Sequence, residues 1–218
     1  MPLLQTDQTF PQLDVPAVGG GTISLPEDLA GSFGVVLIYR GSWCPYCNAQ
    51  LASFGRAADA FTEAGIKVVA FSVDDERTSA AFVDKRHLPF PVGHSADPDK
   101  VAAATGAFTN DDPHYLQSTG FVLGPNGSVV VGVYSTGAIG RLVADDVVGL
   151  VRYSRSQGRG EPRRPQGPAH RRRERYRPFV WHCTSPTAAP PPCWSDDGPT
   201  RCRRPPGWLA SVAAAPTC

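Results

Sequence analysis

The stretch VVLIYRGSWCPYCNAQL, residues 35–51, places two cysteines directly after a run of apolar residues. The run at 35–40 is short and β-branched, which is typical of a buried strand. Pro45 favours a first helical turn, because its missing N–H costs nothing at that position. The stretch therefore predicts a strand that leads into a helix, with Cys44 in the connecting loop and Cys47 in the first helical turn.

Strands and helices alternate along the rest of the chain. Apolar residues at helical spacing predict that the first helix continues to residue 64, and capping and turn signals predict the other elements. These are an N-terminal hairpin or edge element over 10–25, a strand over 67–73, helices over 74–87, 96–108 and 141–153, and a hairpin over 120–134. The predicted fold class is α/β, with parallel first strands and an antiparallel hairpin in one mixed sheet flanked by helices.

The composition changes after Tyr153. Up to that residue the chain has 9 Lys and Arg against 16 Asp and Glu, and beyond it 12 Arg against 4 acids. An acidic domain over 1–153 therefore precedes a basic tail over 154–218. The tail has 12 of the 22 prolines and no apolar period, so we expect it to be disordered. It also has the residue bias of a coding region read in the wrong frame, and our hypothesis is that the tail is such an artefact or a recent extension. A basic arm for nucleic acid or membrane and an extension with no specific role are the alternatives.

The remaining composition indicates a cytoplasmic protein. The longest apolar run is about six residues, against the ~20 that span a bilayer, so we expect no membrane segment. The N-terminus lacks a basic region followed by a long apolar one, so we expect no secretory signal. The acidic domain gives no support for nucleic-acid binding. In a reducing cytoplasm, a Cys-x-x-Cys pair is more often catalytic or metal-binding than structural.

The position of the two cysteines favours redox chemistry. The start of a helix has free N–H groups and partial positive charge, which stabilise a thiolate and lower the pKa of the first cysteine. The second sulfur is close enough to resolve a mixed disulfide internally. Trp43 would present an apolar shelf to a reaction partner, and Arg40 would add positive charge if it points toward the sulfurs.

Three other interpretations of the pair stay open. A structural zinc site needs four ligands, and one Cys-x-x-Cys supplies two. No second such pair lies in the acidic domain, where His87, His94 and His114 are scattered and are interpreted as ordinary loop or surface residues. The other two interpretations are a buried structural disulfide and an inert pair on a binding module.

Three segments resemble a known family. YRGSWCPYCNAQL between a strand and a helix is similar to the thioredoxin fold. FPVGHSADPDKVAAATGAF and STGFVLGPNGSVVVGVYSTGAIGRLVADDVVGLVRY resemble peroxiredoxin-type proteins of the alkyl hydroperoxide reductase/thiol-specific antioxidant (AhpC/TSA) family, within it the subgroup with Cys-x-x-Cys. The resemblance runs from about residue 8 to Tyr153 and implies a thioredoxin-like fold and an antioxidant activity.

The resemblance also implies roles for particular residues. Peroxiredoxins have a Pro-x-x-x-Thr-x-x-Cys motif and a distant arginine. With Cys47 as the peroxidatic cysteine, Cys44 stands at the threonine position and Arg40 at the proline position. At the position of the distant arginine this chain has Thr119. Arg141 matches a basic position near the end of such domains.

Together these arguments predict a thiol-dependent oxidoreductase with Cys44 and Cys47 as catalytic residues and with neither a metal nor a cofactor. In disulfide exchange Cys44 is the exposed attacking thiolate and Cys47 resolves. In a peroxidase cycle the resemblance favours Cys47 as the sulfur that is oxidised. The expected partners are a peroxide or protein disulfide substrate, an external dithiol reductant such as thioredoxin, and a second copy in a possible homodimer. The alternatives are a protein disulfide reductase without peroxidase activity and a non-catalytic binding module.

Overall fold

The computed structural model describes residues 3–156, 193–195 and 198–200. The first range contains the strands β1 (Leu13–Pro16), β2 (Thr22–Leu25), β3 (Phe33–Ile38), β4 (Ile66–Phe71), β5 (Val92–Gly93), β6 (Thr109–Asn110), β7 (Tyr115–Leu116), β8 (Thr119–Leu123) and β9 (Val129–Tyr134). Its helices are α1 (Pro45–Arg56), α2 (Ala58–Glu63), α3 (Glu76–Arg86), α4 (Pro98–Thr105) and α5 (Ala144–Ser156), and a 3-10 turn covers Glu27–Leu29.

A mixed five-stranded sheet in the order β5-β4-β3-β8-β9 forms the centre of the fold. β3 is parallel to β4 and antiparallel to β8, and β9 is antiparallel to β8. Ile38, the last residue of β3, pairs with Phe71 at the end of β4 and with Thr119 at the start of β8. The loop that follows β3 therefore lies beside the segments next to Phe71 and Thr119. The predicted α/β class and mixed sheet are confirmed.

The two faces of β3 are buried in different layers. Val35 and Leu37 pack in a core with α1, α2, α3 and α5. Val36 and Ile38 pack in a second core with α4 and the β1–β2 hairpin. A strand buried on both faces is apolar throughout, which explains why residues 35–38 lack a polar alternation.

The helices depart from their predicted bounds at two places. The helix predicted over 45–64 ends at Arg56, and α2 begins after Ala57. The last helix begins at Ala144, because the preceding residues form a loop that side-chain hydrogen bonds hold against α1. The helix extends to Ser156. Its last turn packs against the domain, since Ser154 is buried and the Arg155 guanidinium lies 5.8 Å from the Phe33 ring centroid. The helical structure thus continues three residues beyond the boundary predicted at Tyr153.

The predicted hairpins are confirmed. β1 pairs antiparallel with β2 around three glycines of positive φ, and β8 pairs with β9 around the Pro-Asn-Gly turn. The β6–β7 hairpin was not predicted. No helix within the described ranges is long and apolar enough to cross a membrane.

A second unit of the chain contains the other described residues. In it, Cys193–Ser195 (β10) pairs antiparallel with Gly198–Thr200 (β11). The disorder predicted for the rest of the tail concerns residues outside those that the structure describes.

Candidate active site

The loop from β3 to α1 is held by hydrogen bonds along its whole length. The Ser42 N–H donates to Asp74 Oδ2 at 2.6 Å, and Asn48 Nδ2 donates to the carbonyl oxygens of Ser42 and Cys44, each at 2.7 Å. Gly41 has a φ of +147°, and a Cβ there would lie 2.3 Å from Trp43 Nε1. Glycine is therefore required at this position, because the indole packs directly on its Cα.

Cys44 and Cys47 lie at the start of α1, as predicted. Cys44 is the N-cap residue, Pro45 is in the first helical position, and Cys47 is in the first turn. Both the backbone N–H and the thiol of Cys47 hydrogen-bond to the Cys44 sulfur. The two side chains therefore face each other, which a Cys44–Cys47 disulfide requires.

Two guanidinium groups converge on the sulfurs. Arg141 Nη2 lies 3.4 Å from Cys47 Sγ and 3.9 Å from Cys44 Sγ. Arg40 Nη1 lies 3.8 Å from Cys44 Sγ, and the Arg40 backbone N–H donates to Cys47 Sγ at 3.3 Å. The expectation that Arg40 points toward the sulfurs is confirmed, and Arg141 supplies a second positive charge.

These contacts separate the two thiols in acidity. At Cys44 burial opposes ionisation, but the two hydrogen bonds from Cys47 and the positive charges of Arg141 and Arg40 outweigh it and lower the pKa. At Cys47 burial raises the pKa, and the hydrogen bond to Cys44 raises it further, against the charge of Arg141 and the N–H of Arg40. These opposite shifts favour Cys44 as the thiol that ionises first.

The position of Arg141 is determined by partners from three parts of the chain. Its Nη1 donates to Gln50 Oε1 at 2.9 Å and to Ser118 Oγ at 2.7 Å, and its Nε and Nη2 donate to the Ala138 carbonyl. Gln50 Nε2 also donates to the Leu142 carbonyl at 3.1 Å, which holds the loop against α1. Sequence reasoning missed Gln50, although its position one helical turn after Cys47 places both on one face of α1.

Aromatic side chains pack against the Arg40 guanidinium. Arg40 Nη2 donates to the Tyr115 hydroxyl at 2.6 Å, and the Arg40 guanidinium lies 4.9 Å from the Trp43 ring centroid and 5.1 Å from that of Tyr115. Sequence reasoning missed Tyr115, which reaches the site on the unpredicted β6–β7 hairpin.

The expectation that Cys44 is exposed is wrong. Both Cys44 and Cys47 have 0% of their surface accessible, whereas Trp43 is 55% exposed. The Arg40 guanidinium, which packs on the Trp43 and Tyr115 rings, contributes to this burial through its contact with the Cys44 sulfur.

Replacing Trp43 with alanine is expected to increase the rate at which bulky thiol reagents modify Cys44. This increase should be severalfold larger than the increase for small reagents. The substitution removes a cation–π contact of about 0.5–1 kcal/mol that holds Arg40 over the sulfur. The rates of thiol modification by a bulky aromatic disulfide and by iodoacetamide would be compared. Tyr46, also half exposed, is the matched control, and equal effects of the two alanine substitutions would contradict the prediction.

The histidines have other contacts. His114 Nε2 lies 3.3 Å from Asp99 Oδ1, and the buried His94 hydrogen-bonds to Ser95 Oγ. His94 therefore lies in a loop, as expected, but not on the surface. No cluster of three or more potential metal ligands occurs in the part of the chain that the structure describes.

Comparison with known proteins assigns this arrangement to a family. Residues 6–131 match the model of the AhpC/TSA family. The chain belongs to the AhpC/TSA family. Peroxiredoxins of Treponema denticola and Chlorobaculum tepidum are 30% and 31% identical to it over 147 residues, which cover 65% of this chain and 68% and 67% of those proteins.

The fold agrees with that assignment. Peroxidoxin BcpB from Mycobacterium tuberculosis superposes with a TM-score of 0.60 at 22% identity, over 69% of this chain and 97% of that one. This AhpC/TSA protein thus has the thioredoxin-like fold and is a thiol-dependent oxidoreductase of the peroxiredoxin kind. It has Thr119 at the position of the distant arginine, but Arg141 brings a guanidinium to the same sulfurs through its contact with the neighbouring Ser118.

Proposed function

We propose that this AhpC/TSA enzyme reduces a hydroperoxide at Cys44 and retains the oxidising equivalents as a Cys44–Cys47 disulfide. The observation that carries the proposal is the convergence of Arg40 and Arg141 on two sulfurs that hydrogen-bond to each other. Guanidinium groups stabilise negative charge that develops on a departing oxygen, and a buried site strengthens that interaction.

The reaction balances with the groups at the site. The Cys44 thiolate attacks one peroxide oxygen, the O–O bond breaks, and the departing alkoxide takes the proton of the Cys47 thiol. Cys44 is then a sulfenic acid and Cys47 a thiolate. Cys47 attacks the Cys44 sulfur, the S–O bond breaks, and hydroxide leaves as water after protonation by solvent. A thiol reductant from outside the enzyme then returns both cysteines to the reduced state.

The proposed nucleophile differs from the one that the family motif favours. The motif aligns Cys47 with the peroxidatic cysteine, but burial raises the pKa of Cys47, whereas the hydrogen bonds from Cys47 and the charges of Arg141 and Arg40 lower the pKa of Cys44 against its burial. In the proposal Cys47 therefore keeps its proton and supplies it to the leaving group instead of attacking. Trapping of the sulfenic acid in the two single serine variants distinguishes the assignments.

The rival function is protein disulfide reduction without peroxidase activity. The complete burial of both sulfurs favours a small peroxide over a folded protein as oxidant. Stopped-flow consumption of hydrogen peroxide by the reduced enzyme, compared with insulin disulfide reduction, tests this. Rapid insulin reduction with no peroxide consumption would overturn the proposal.

The pH dependence of the oxidation step follows from the acidity of Cys44. Because the folded-state pKa of Cys44 is lowered, the thiolate and hence the reaction persist below ~8.5, the range where an ordinary thiol is protonated. The rate of oxidation by hydrogen peroxide is expected to stay constant as the pH falls through that range, and to decline only below the lowered pKa. The ultraviolet absorbance of the thiolate, recorded over the same pH range, should follow the same curve. A midpoint at or above the ordinary value would contradict this prediction.

Compartment and assembly belong to the same proposal. A dithiol that is recycled by an external reductant suits the reducing cytoplasm. The homodimer stays a prediction, which light scattering of the purified full chain would check.

A further inference from the structure

A groove of about 550 Å³ lies on the side of the Cys-x-x-Cys loop that faces α3. Ser42 and Asn48 line it from the loop and α1, and residues at the start and along one face of α3 form the opposite wall. The volume is within the range of small-molecule sites. The groove is distinct from the sulfur site, because neither cysteine lines it. Its lining residues are Ser42, Asn48, Asp75, Arg77, Thr78, Ala81, Phe82 and Lys85.

The side chains that line the groove carry a net positive charge, although the domain is acidic. Arg77 and Lys85 line it, and Arg86 lies at its end, where its Nε donates to Asn48 Oδ1 at 3.0 Å. Asp75 is the one carboxylate among the lining residues, and it accepts the Thr78 N–H as the cap of α3. The chain has nine Lys and Arg residues up to Tyr153. Three of them lie at the groove, and two more, Arg40 and Arg141, lie at the sulfurs. Such a concentration of one charge in a cleft attracts anions.

The groove and the sulfurs share the same short loop. Ser42 is two residues from Cys44, so their Cα atoms are at most about 7 Å apart. Asn48 links them directly, since its Nδ2 donates to the carbonyl oxygens of both residues. A molecule of peptide size that places a carboxylate in the groove can therefore place a thiol near Cys44.

We propose that this groove binds the carboxylates of a small anionic thiol of peptide size, which reduces the Cys44–Cys47 disulfide. The inference rests on the proposed function, because that function forms the disulfide. The first thiol attacks one sulfur of the disulfide, forms a mixed disulfide and releases the other cysteine as a thiolate. A second thiol attacks the mixed disulfide, so two thiols are oxidised to one small disulfide and both cysteines are restored.

A small thiol fits the structure better than a protein reductant. Both cysteines are fully buried, with the Arg40 guanidinium packed against Cys44 and on the Trp43 ring, and the groove is an open cleft lined mostly by polar and charged side chains instead of a broad apolar surface. A protein reductant would have to displace this cover over a larger area.

The test compares glutathione with its diethyl ester, in which both carboxylates are masked. The disulfide is formed with diamide, so that its formation is independent of peroxide. Reduction is followed by stopped-flow tryptophan fluorescence, and each rate is divided by the thiolate fraction of the reagent. The variants are the Arg77→Ala/Lys85→Ala double variant and Lys100→Ala, an exposed cation on α4, as the matched control.

We expect the wild-type enzyme to react roughly tenfold faster with glutathione than with the ester, the lower end for steering by a charged cleft. The double variant should bring this ratio close to one, Lys100→Ala should keep it, and added salt should reduce it. Reduction by uncharged dithiothreitol should be equal in all three proteins, which shows that the disulfide itself is unchanged.

A wild-type ratio near one would overturn the inference, and so would a double variant that keeps the wild-type ratio. If the wild-type ratio of the glutathione and ester rates is near one, and thioredoxin reduces the double variant more slowly than the wild-type enzyme, the groove would be assigned to a protein reductant instead. Failure of hydrogen peroxide to form the disulfide would overturn the proposed function alone, since diamide still allows the groove to be tested.

Discussion

Replacing Cys44 with serine is expected to lower the rate of peroxide consumption by roughly a thousandfold or more, as loss of a nucleophile does in other enzymes. A serine hydroxyl is not ionised at neutral pH, so the two guanidinium groups would have no thiolate to stabilise. The measurement is single-turnover oxidation by hydrogen peroxide, with mass-spectrometric detection of the trapped sulfenic acid. In Cys44→Ser we expect no sulfenic acid.

Cys47→Ser is the matched control for this experiment. Serine keeps a backbone N–H and a hydroxyl donor toward Cys44, so the first oxidation should slow by less than about tenfold. The reaction should then stop at a Cys44 sulfenic acid, because no second thiol is present to condense with it. Sulfenic acid at Cys47 in Cys44→Ser, formed at the wild-type rate, would contradict the assignment and support the one from the family motif.

Replacing Arg141 with methionine is expected to lower the second-order rate constant for hydrogen peroxide about a hundredfold, equivalent to about 2.7 kcal/mol. Arg141 Nη2 is the donor that lies within 4 Å of both sulfurs, and its charge contributes to lowering the pKa of Cys44. The same substitution should therefore raise the pH at which the thiolate absorbance appears.

Two further variants separate the charge of Arg141 from its geometry. Arg141→Lys keeps the charge but loses the planar fork that contacts Gln50, Ser118 and Ala138, so its rate should be intermediate. Arg152→Met changes an exposed arginine whose guanidinium lies 3.7 Å from Glu63, and it should leave the rate unchanged. An Arg141→Met enzyme with the wild-type rate and the wild-type thiolate pKa would contradict a role for this side chain.

The parts of the site that sequence reasoning predicted depend on local structure. The strand over 35–40, the proline after Cys44 and the helical spacing after Cys47 were enough to place both cysteines at a helix N-terminus. The Pro-Asn-Gly turn predicted the β8–β9 hairpin for the same reason. Capping, turn chemistry and periodicity involve residues that are close in the sequence, so they can be recognised without the fold.

The contacts that sequence reasoning did not predict join distant segments. The resemblance pointed to Arg141 as a basic position, but not to its contacts with the sulfurs. Arg141 is nearly one hundred residues from the cysteines, and it reaches them only because β8 pairs with β3 and Gln50 holds the loop before α5. Tyr115 reaches Arg40 on a two-residue strand that has too little pattern to be predicted.

The sequence by itself determined that two sulfurs stand at the positive end of a helix in an α/β domain, because helix start, spacing and strand are local properties, and its resemblance to a known family implied the thioredoxin-like fold. Only the tertiary structure decided which guanidinium groups surround the sulfurs, in which direction the two thiol pKa values shift and how completely the cysteines are buried. Those properties depend on desolvation, on the charges of Arg40 after β3 and Arg141 in the loop before α5, and on Tyr115 in β7, and these meet only when the whole sheet is assembled.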